Sequence, residues 1–183
     1  MASSKSRTGK LTYADYERIP DDGLRHEIID GEHCVSPAPY VDHQTISTRL
    51  LVQLYLQIEA PGLGKVLPAP TDVVLSPNDI VQPDILAVLA HRLAIVTRKN
   101  IQGAPDLIVE IISSSSRLMD LGKKHELYEK WRVPEYWVVD GEARVVHQFL
   151  RVDERYAPAI VCTDHVVFRG VEGVRIDLTR VWD

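Results

Sequence analysis

Two acids stand where apolar strands should carry none. Asp84 immediately precedes the run Ile85-Leu86-Ala87-Val88-Leu89, and Glu110 interrupts Leu107-Ile108-Val109-Glu110-Ile111-Ile112. In the second run both parities are apolar, which marks a strand covered on both faces. An ionised carboxylate there costs several kcal/mol unless a partner offsets it. Two carboxylates held on rigid neighbouring strands make a hard-oxygen site suited to Mg2+ or Mn2+. Such an ion would offset the burial and activate water for attack on phosphorus. Either acid taken alone fits equally well a strand-end charge facing solvent or paired with a lysine.

A cation for this site is available on the next helix. Asp120, Lys124 and Tyr128 recur at every fourth position and share one helix face. Lys123 points about 100° away and is expected to be solvated. Lys124 could orient the water or offset charge growing in the transition state, although an ordinary Asp120–Lys124 surface pair gives the same spacing. Glu27, beside Arg25 and His26, is a third acid near a strand end, and a solvent-facing charge is its plain alternative. His43 reads as a surface or hydrogen-bonding residue in the first turn of a helix.

The elements that must position these residues follow from pattern. Thr12 can cap a short helix through about Arg18. Leu24 to Pro37 reads as a hairpin around Asp30-Gly31. Asp42 is a plausible cap for a long helix, His43 to Glu59, whose Ile46, Leu50, Leu54 and Ile58 form an apolar stripe. Val66-Leu67 and Thr71 to Leu75 suggest short strands, and Gln82 to Leu89 a first central strand. After a loop over 90–103 come a second central strand, Asp106 to Ile112, and a helix to about Arg132. Ser113 to Ser116 can cap that helix, and Leu118, Leu121, Leu127 and Trp131 would dock it. Pro134 to Val139 is a third apolar strand, in which Tyr136 and Trp137 are expected in the core. Antiparallel strands follow from Arg144 to Leu178. Strands alternating with helices indicate a mixed sheet with helices on its faces.

Composition sets the outer limits. A length of 183 residues fits a disordered tail, 1–10, and a single domain, 11–183, large enough to bury a core without disulfides. The net charge of −5 excludes a broadly basic protein that coats nucleic acid but not a local basic groove. Cys34 and Cys162 read as small buried apolar residues rather than a disulfide. Met1 to Lys10 is polar and basic without an apolar stretch, so it is no secretory signal. No apolar run approaches the ~20 residues that span a bilayer, and the expectation is a cytoplasmic protein with no membrane partner.

These residues together resemble a known family. Pro83-Asp84 followed by Glu110-Ile111-Ile112 is similar to the metal-binding core of the PD-(D/E)XK nuclease superfamily. More closely, the chain resembles a bacterial restriction-endonuclease family formerly known as a domain of unknown function. The likeness runs from about Tyr13 to Asp140 and continues more weakly to the end. It is carried by Glu27-Ile28-Ile29-Asp30-Gly31-Glu32, Ser36-Pro37 followed by His43, Val81-Gln82-Pro83-Asp84 and Ala104-Pro105-Asp106-Leu107-Ile108-Val109-Glu110. The Asp120/Lys124/Tyr128 spacing and Val133-Pro134-Glu135-Tyr136-Trp137-Val138-Val139-Asp140 complete it.

The resemblance implies an α/β fold of the restriction-endonuclease-like kind, a mixed β-sheet flanked by α-helices. It implies Asp84 and Glu110 as ligands of Mg2+ or Mn2+, Glu27 as the early acid near the metal, and DNA as substrate. The chain departs from the pattern at three places. The lysine expected two residues after the acid is Ile112, so Lys124 inherits its role by position. The serine segment lacks a proline after its first serine, and Arg132 stands where a glycine is usual.

The leading expectation is a Mg2+-dependent endonuclease hydrolysing DNA phosphodiester bonds, with Asp84, Glu110, Glu27 and Lys124 at its site. The alternative is a catalytically inactive nuclease-fold protein that binds or interacts, since fold does not fix function. A metal hydrolase of a small phosphorylated substrate is a third reading. Cutting both strands of a duplex is easiest with two sites, which would make a homodimer useful, with Arg144 to Asp183 as a candidate interface.

Overall fold

The computed structural model describes residues 9–36, 38–112 and 119–182, with the backbone alone at 119–121. Residues 1–8 of the expected tail, the Ser113–Ser116 cap, Leu118 and the side chains of Asp120 and Leu121 lie outside the described residues. At the end of that tail, Lys10 pairs with Asp30, and the Leu11 N–H donates to the Gly31 carbonyl.

A short helix α1 (Tyr13–Tyr16) begins at Thr12, whose backbone N–H and hydroxyl both donate to Asp15. The hairpin of β1 (Arg25–Ile29) and β2 (Glu32–Ser36) turns at Asp30 and Gly31, where φ is 51° and 78°. Two successive positive φ values suit a two-residue turn between twisted strands. Helix α2 (Val41–Leu54) continues as a π-helical segment, Tyr55–Glu59. Its cap is Tyr40, not Asp42 as expected. Asp42 lies within the first turn, where its charge favours the helix dipole without closing a cap bond.

Next come β3 (Gly64–Pro68), β4 (Val73–Ser76), β5 (Asp79–Val81) and β6 (Ile85–Leu89). The single strand expected over Gln82 to Leu89 is therefore corrected to a break at Gln82–Asp84. Pro83 has no N–H for a ladder and restricts the residue before it. There the chain leaves one sheet and enters another. A 3-10 helix, Ala90–Ile95, precedes β7 (Ile101–Gln102) and β8 (Leu107–Ile112). The following helix is π-helical over Met119–Lys124 and becomes α3 (His125–Lys130). It stops at Arg132, whose φ of 61° is the left-handed conformation that glycine, the usual residue here, adopts freely. Strands β9 (Glu135–Asp140), β10 (Val145–Val152), β11 (Arg155–Tyr156), β12 (Ile160–Cys162), β13 (His165–Val167) and β14 (Arg175–Asp177) complete the chain.

Among the described residues the strands form three sheets. The larger runs β11-β10-β9-β8-β6-β3, with β12 beside β10; β8 and β9 are parallel and the other pairs antiparallel. The smaller runs β2-β1-β5-β4-β7, and β13 pairs with β14 alone. The mixed sheet with flanking helices is the α/β fold expected from sequence. No helix of the described residues is long and apolar enough to cross a membrane.

Strand parity separates two cores. On one face of the large sheet, Ile85, Ala87, Leu107, Val109, Ile111 and Trp137 pack against Leu50, Leu54 and Ile58 of the α2 region. Val166, Phe168, Val174, Ile176 and Leu178 fill the same core. Gln53 and Gln57 fix this C-terminal segment by pairing their amides with the backbone of Asp177 and Arg175. On the other face, Leu86, Val88, Ile108, Ile112 and Tyr136 meet Leu127 and Tyr128 of α3 and Ile29 and Val81 of the smaller sheet. Tyr136 and Trp137 are fully buried. Cys34 and Cys162 are free thiols and half-buried rather than buried as expected.

Candidate active site

Register puts the two strand acids together. In the antiparallel pair of β6 and β8, Ile85 faces Val109 and Leu86 faces Ile108. One further step sets Asp84 opposite Glu110. Parity puts Glu110 on the face of Ile108 and Ile112, away from Leu50, Leu54 and Ile58 of α2, while Asp84, just ahead of β6, is met by His43 from the first turn of α2. Like charges directly opposed destabilise a sheet unless something lies between or beside them. The Ile111 N–H donates to Asp84 Oδ2 at 2.8 Å, so the backbone itself ties the pair.

Glu27 comes to the same place from the smaller sheet. It is buried, which sets aside the solvent-facing alternative, and its Oε1 accepts the Gln82 N–H at 2.8 Å. That amide belongs to the break made by Pro83. The geometry of the break therefore anchors one acid and delivers another two residues later. Glu27, Asp84 and Glu110 are only 2%, 3% and 2% exposed.

Cations balance them unevenly. Lys124 is 4% exposed, with Nζ 2.9 Å from Glu110 Oε1 and 3.2 Å from Glu27 Oε1. Ile112, at the position where the resemblance expects lysine, packs in the core beside α3. Lys124 thus reaches the acid from the helix. Lys123 instead pairs at the surface with Glu32, as its direction predicts. Arg25 Nη1 donates to Asp84 Oδ1 at 2.8 Å, and His43 Nε2 lies 3.0 Å from Asp84 Oδ2. Tyr128 donates its hydroxyl to Glu110 Oε1 at 2.6 Å.

The sequence reading assigned no site role to Arg25, His43 or Tyr128. Two of them were within reach of it. Arg25 precedes Glu27 by two residues and so shares its strand face. Tyr128 stands one helical turn beyond Lys124. His43 belongs to the family pattern after Ser36-Pro37, but no spacing ties it to Asp84, because only the tertiary packing of α2 brings the two together.

Burial by itself would raise the pKa of Asp84. The hydrogen bond and charge of His43, the charge of Arg25 and the Ile111 N–H outweigh it and hold the carboxyl at about 2. Burial and the neighbouring Glu110 charge push the Tyr128 phenol well above its usual range, so it stays a donor. Burial works against the Arg25 charge too, but Asp84, then Glu110 and Glu27, keep it protonated. A carboxylate whose pKa falls on folding stabilises the protein above its unfolded value, and that stability is lost as pH falls through the folded one. Asp84 is therefore expected to contribute about 2–3 kcal/mol that disappears between roughly pH 4 and pH 2. Urea unfolding across that range checks it, and the Asp84→Asn variant should lack this part of the acid limb.

The donors are hard oxygens, and a Mg2+ ion needs only one or two protein carboxylates, completing its shell with water and phosphate oxygens. Asp84 and Glu110 fit that requirement. Among the described residues no group of three or more His, Cys, Asp or Glu side chains is arranged to hold an ion by protein atoms alone.

Residues 13–180 match the model of the Uma2 family, described as "Putative restriction endonuclease". The chain belongs to this family. The fold of this Uma2 member is also that of a protein from Anabaena variabilis ATCC 29413, described as "a putative nuclease belonging to DUF820". The two share 16% identity over 94% of this chain and 97% of the other, with a TM-score of 0.79. At that identity the likeness speaks for the fold. Among curated proteins none matches this Uma2 chain.

Proposed function

We propose that this Uma2 chain is a Mg2+- or Mn2+-dependent nuclease that hydrolyses DNA phosphodiester bonds. Asp84 and Glu110 hold the ion. The observation that carries the reading is the three buried carboxylates facing two permanent cations, Arg25 and Lys124, among the described residues. Carboxylates held this close in a buried site repel one another, and a divalent ion bound by Asp84 and Glu110 would offset that cost. Family membership supports a nuclease reaction and a DNA substrate.

An ion held by Asp84 and Glu110 would supply Lewis-acid polarisation of a phosphoryl oxygen and would make a bound water more acidic. The protein supplies orientation and charge. Glu27 and Glu110 together hold the Lys124 ammonium, which offsets the negative charge growing on the phosphoryl oxygens and helps align the water. Tyr128 keeps Glu110 in one rotamer from its buried side. Arg25 and His43 do the same for Asp84 and hold its carboxyl below the usual carboxylate range. Near-complete burial of these groups strengthens each interaction by excluding bulk water.

Incubating the protein with linear and supercoiled DNA in Mg2+ or Mn2+ tests the reading. Cleavage that chelator abolishes is expected. Intact DNA under all conditions, with unchanged thermal stability in chelator, would replace it with a nuclease-fold interaction protein.

A further inference from the structure

A cavity of about 500 Å³ leads to the site from the α2 side. Asp84 and Ser47 are its buried lining residues, His43 and Arg25 are half-buried, and Gln44 and Thr48 are exposed. Leu51 and prolines from the turns on either side supply apolar wall. The volume lies in the range of roughly 300–1,000 Å³ that holds a small organic ligand.

The chemistry of the walls decides what enters. A channel that tracks a phosphate backbone carries several lysines or arginines. Among the described lining residues the one permanent cation is Arg25, and it already bonds Asp84. Apolar wall with an amide and a hydroxyl at the rim suits instead a heterocyclic base, which needs a flat apolar contact and hydrogen-bond partners for its edge. An aromatic residue follows the lining directly along the chain. Tyr40, adjacent in sequence to the lining residue Pro39, is 77% exposed although it caps α2. An exposed ring there offers a stacking surface to the next base along a strand.

We infer that the cavity receives an unstacked nucleotide next to the scissile phosphate, so that the substrate is DNA with unpaired bases rather than intact duplex. This rests on the nuclease reading and names its substrate class. Asp84, which lines the cavity, is only 3% exposed, so a phosphate meets it by entering the cavity rather than from a flat surface. A single strand, bulge or flap places a phosphate there without paying to unstack a helix.

Fluorescence anisotropy tests the inference, with Ca2+ in place of Mg2+ and three labelled DNAs of one sequence: a single strand, its duplex, and the duplex with a two-nucleotide bulge. The strand and the bulged DNA are expected to bind about tenfold tighter than the duplex. Thr48→Trp, which plugs the rim, and Tyr40→Ala, at an exposed position that does not threaten folding, should each remove that margin. Equal binding of duplex and strand, a margin that survives both variants, or thymidine monophosphate competing as well as the whole strand would overturn it. The nuclease reading is judged separately, by chelator-sensitive cleavage of any DNA.

Discussion

Lys124→Met is expected to bind Mn2+ about tenfold more tightly than the wild type while losing cleavage by a hundredfold or more. In the structure the Lys124 ammonium stands against two of the three acids, at 2.9 Å from Glu110 and 3.2 Å from Glu27. An incoming ion shares those carboxylates with a positive charge. Removing that charge relieves repulsion with a divalent ion of about 8 kcal/mol at 4 Å with an effective dielectric of 20, most of which relaxation takes back. The same substitution leaves buried carboxylates without their cation, which costs about 3–5 kcal/mol. The variant should therefore melt well below the wild type in chelator and recover on adding Mn2+. Calorimetry, a cleavage assay and thermal unfolding with and without the ion read the three effects. Weaker Mn2+ binding by Lys124→Met would mean that the ammonium organises the acids rather than competing for them.

Asp84→Asn carries the second large effect. Cleavage should fall about a thousandfold, since the variant loses a ligand and part of the charge that holds the ion. Arg25 and His43 would face an amide, and Arg25 would be left without its nearest counter-charge. Breaking a buried pair by removing one partner costs about 3–5 kcal/mol. The Ile111 N–H retains an acceptor, which favours a folded variant. Circular dichroism and urea unfolding separate loss of chemistry from loss of structure. Wild-type cleavage by a folded Asp84→Asn protein would remove Asp84 from the site.

Much of the site was legible because strand parity is strict. Glu110 has apolar neighbours on both parities, the mark of a strand covered on both faces, and β8 is buried at every position. The Asp30-Gly31 turn set the hairpin register and with it the face of Glu27. Asp84 was harder. The run from Gln82 to Leu89 looks like one strand, and nothing in its periodicity shows that Pro83 divides two sheets. That break is what lets the Gln82 amide hold Glu27 while Asp84 meets Glu110. Lys124 was placed by helical spacing even though the backbone there is π-helical, because the α-helical turn begins at His125 and keeps Lys124 above Tyr128. His43 escaped because its role depends on how α2 docks on the large sheet, a contact made by Leu50, Leu54 and Ile58 rather than by anything near the histidine. After Arg144, Val146, Val166, Phe168, Val174, Ile176 and Leu178 fill the α2 core, while Ile160 and Val161 of β12 stay exposed.

Titration of Mn2+ into the wild type and Glu110→Gln, followed by calorimetry, tests the carboxylate pair as an ion site most directly. A single ion per chain is expected for the wild type, with affinity reduced at least tenfold in a folded Glu110→Gln variant. Equal Mn2+ binding by the two proteins, or no binding by the wild type, would contradict it.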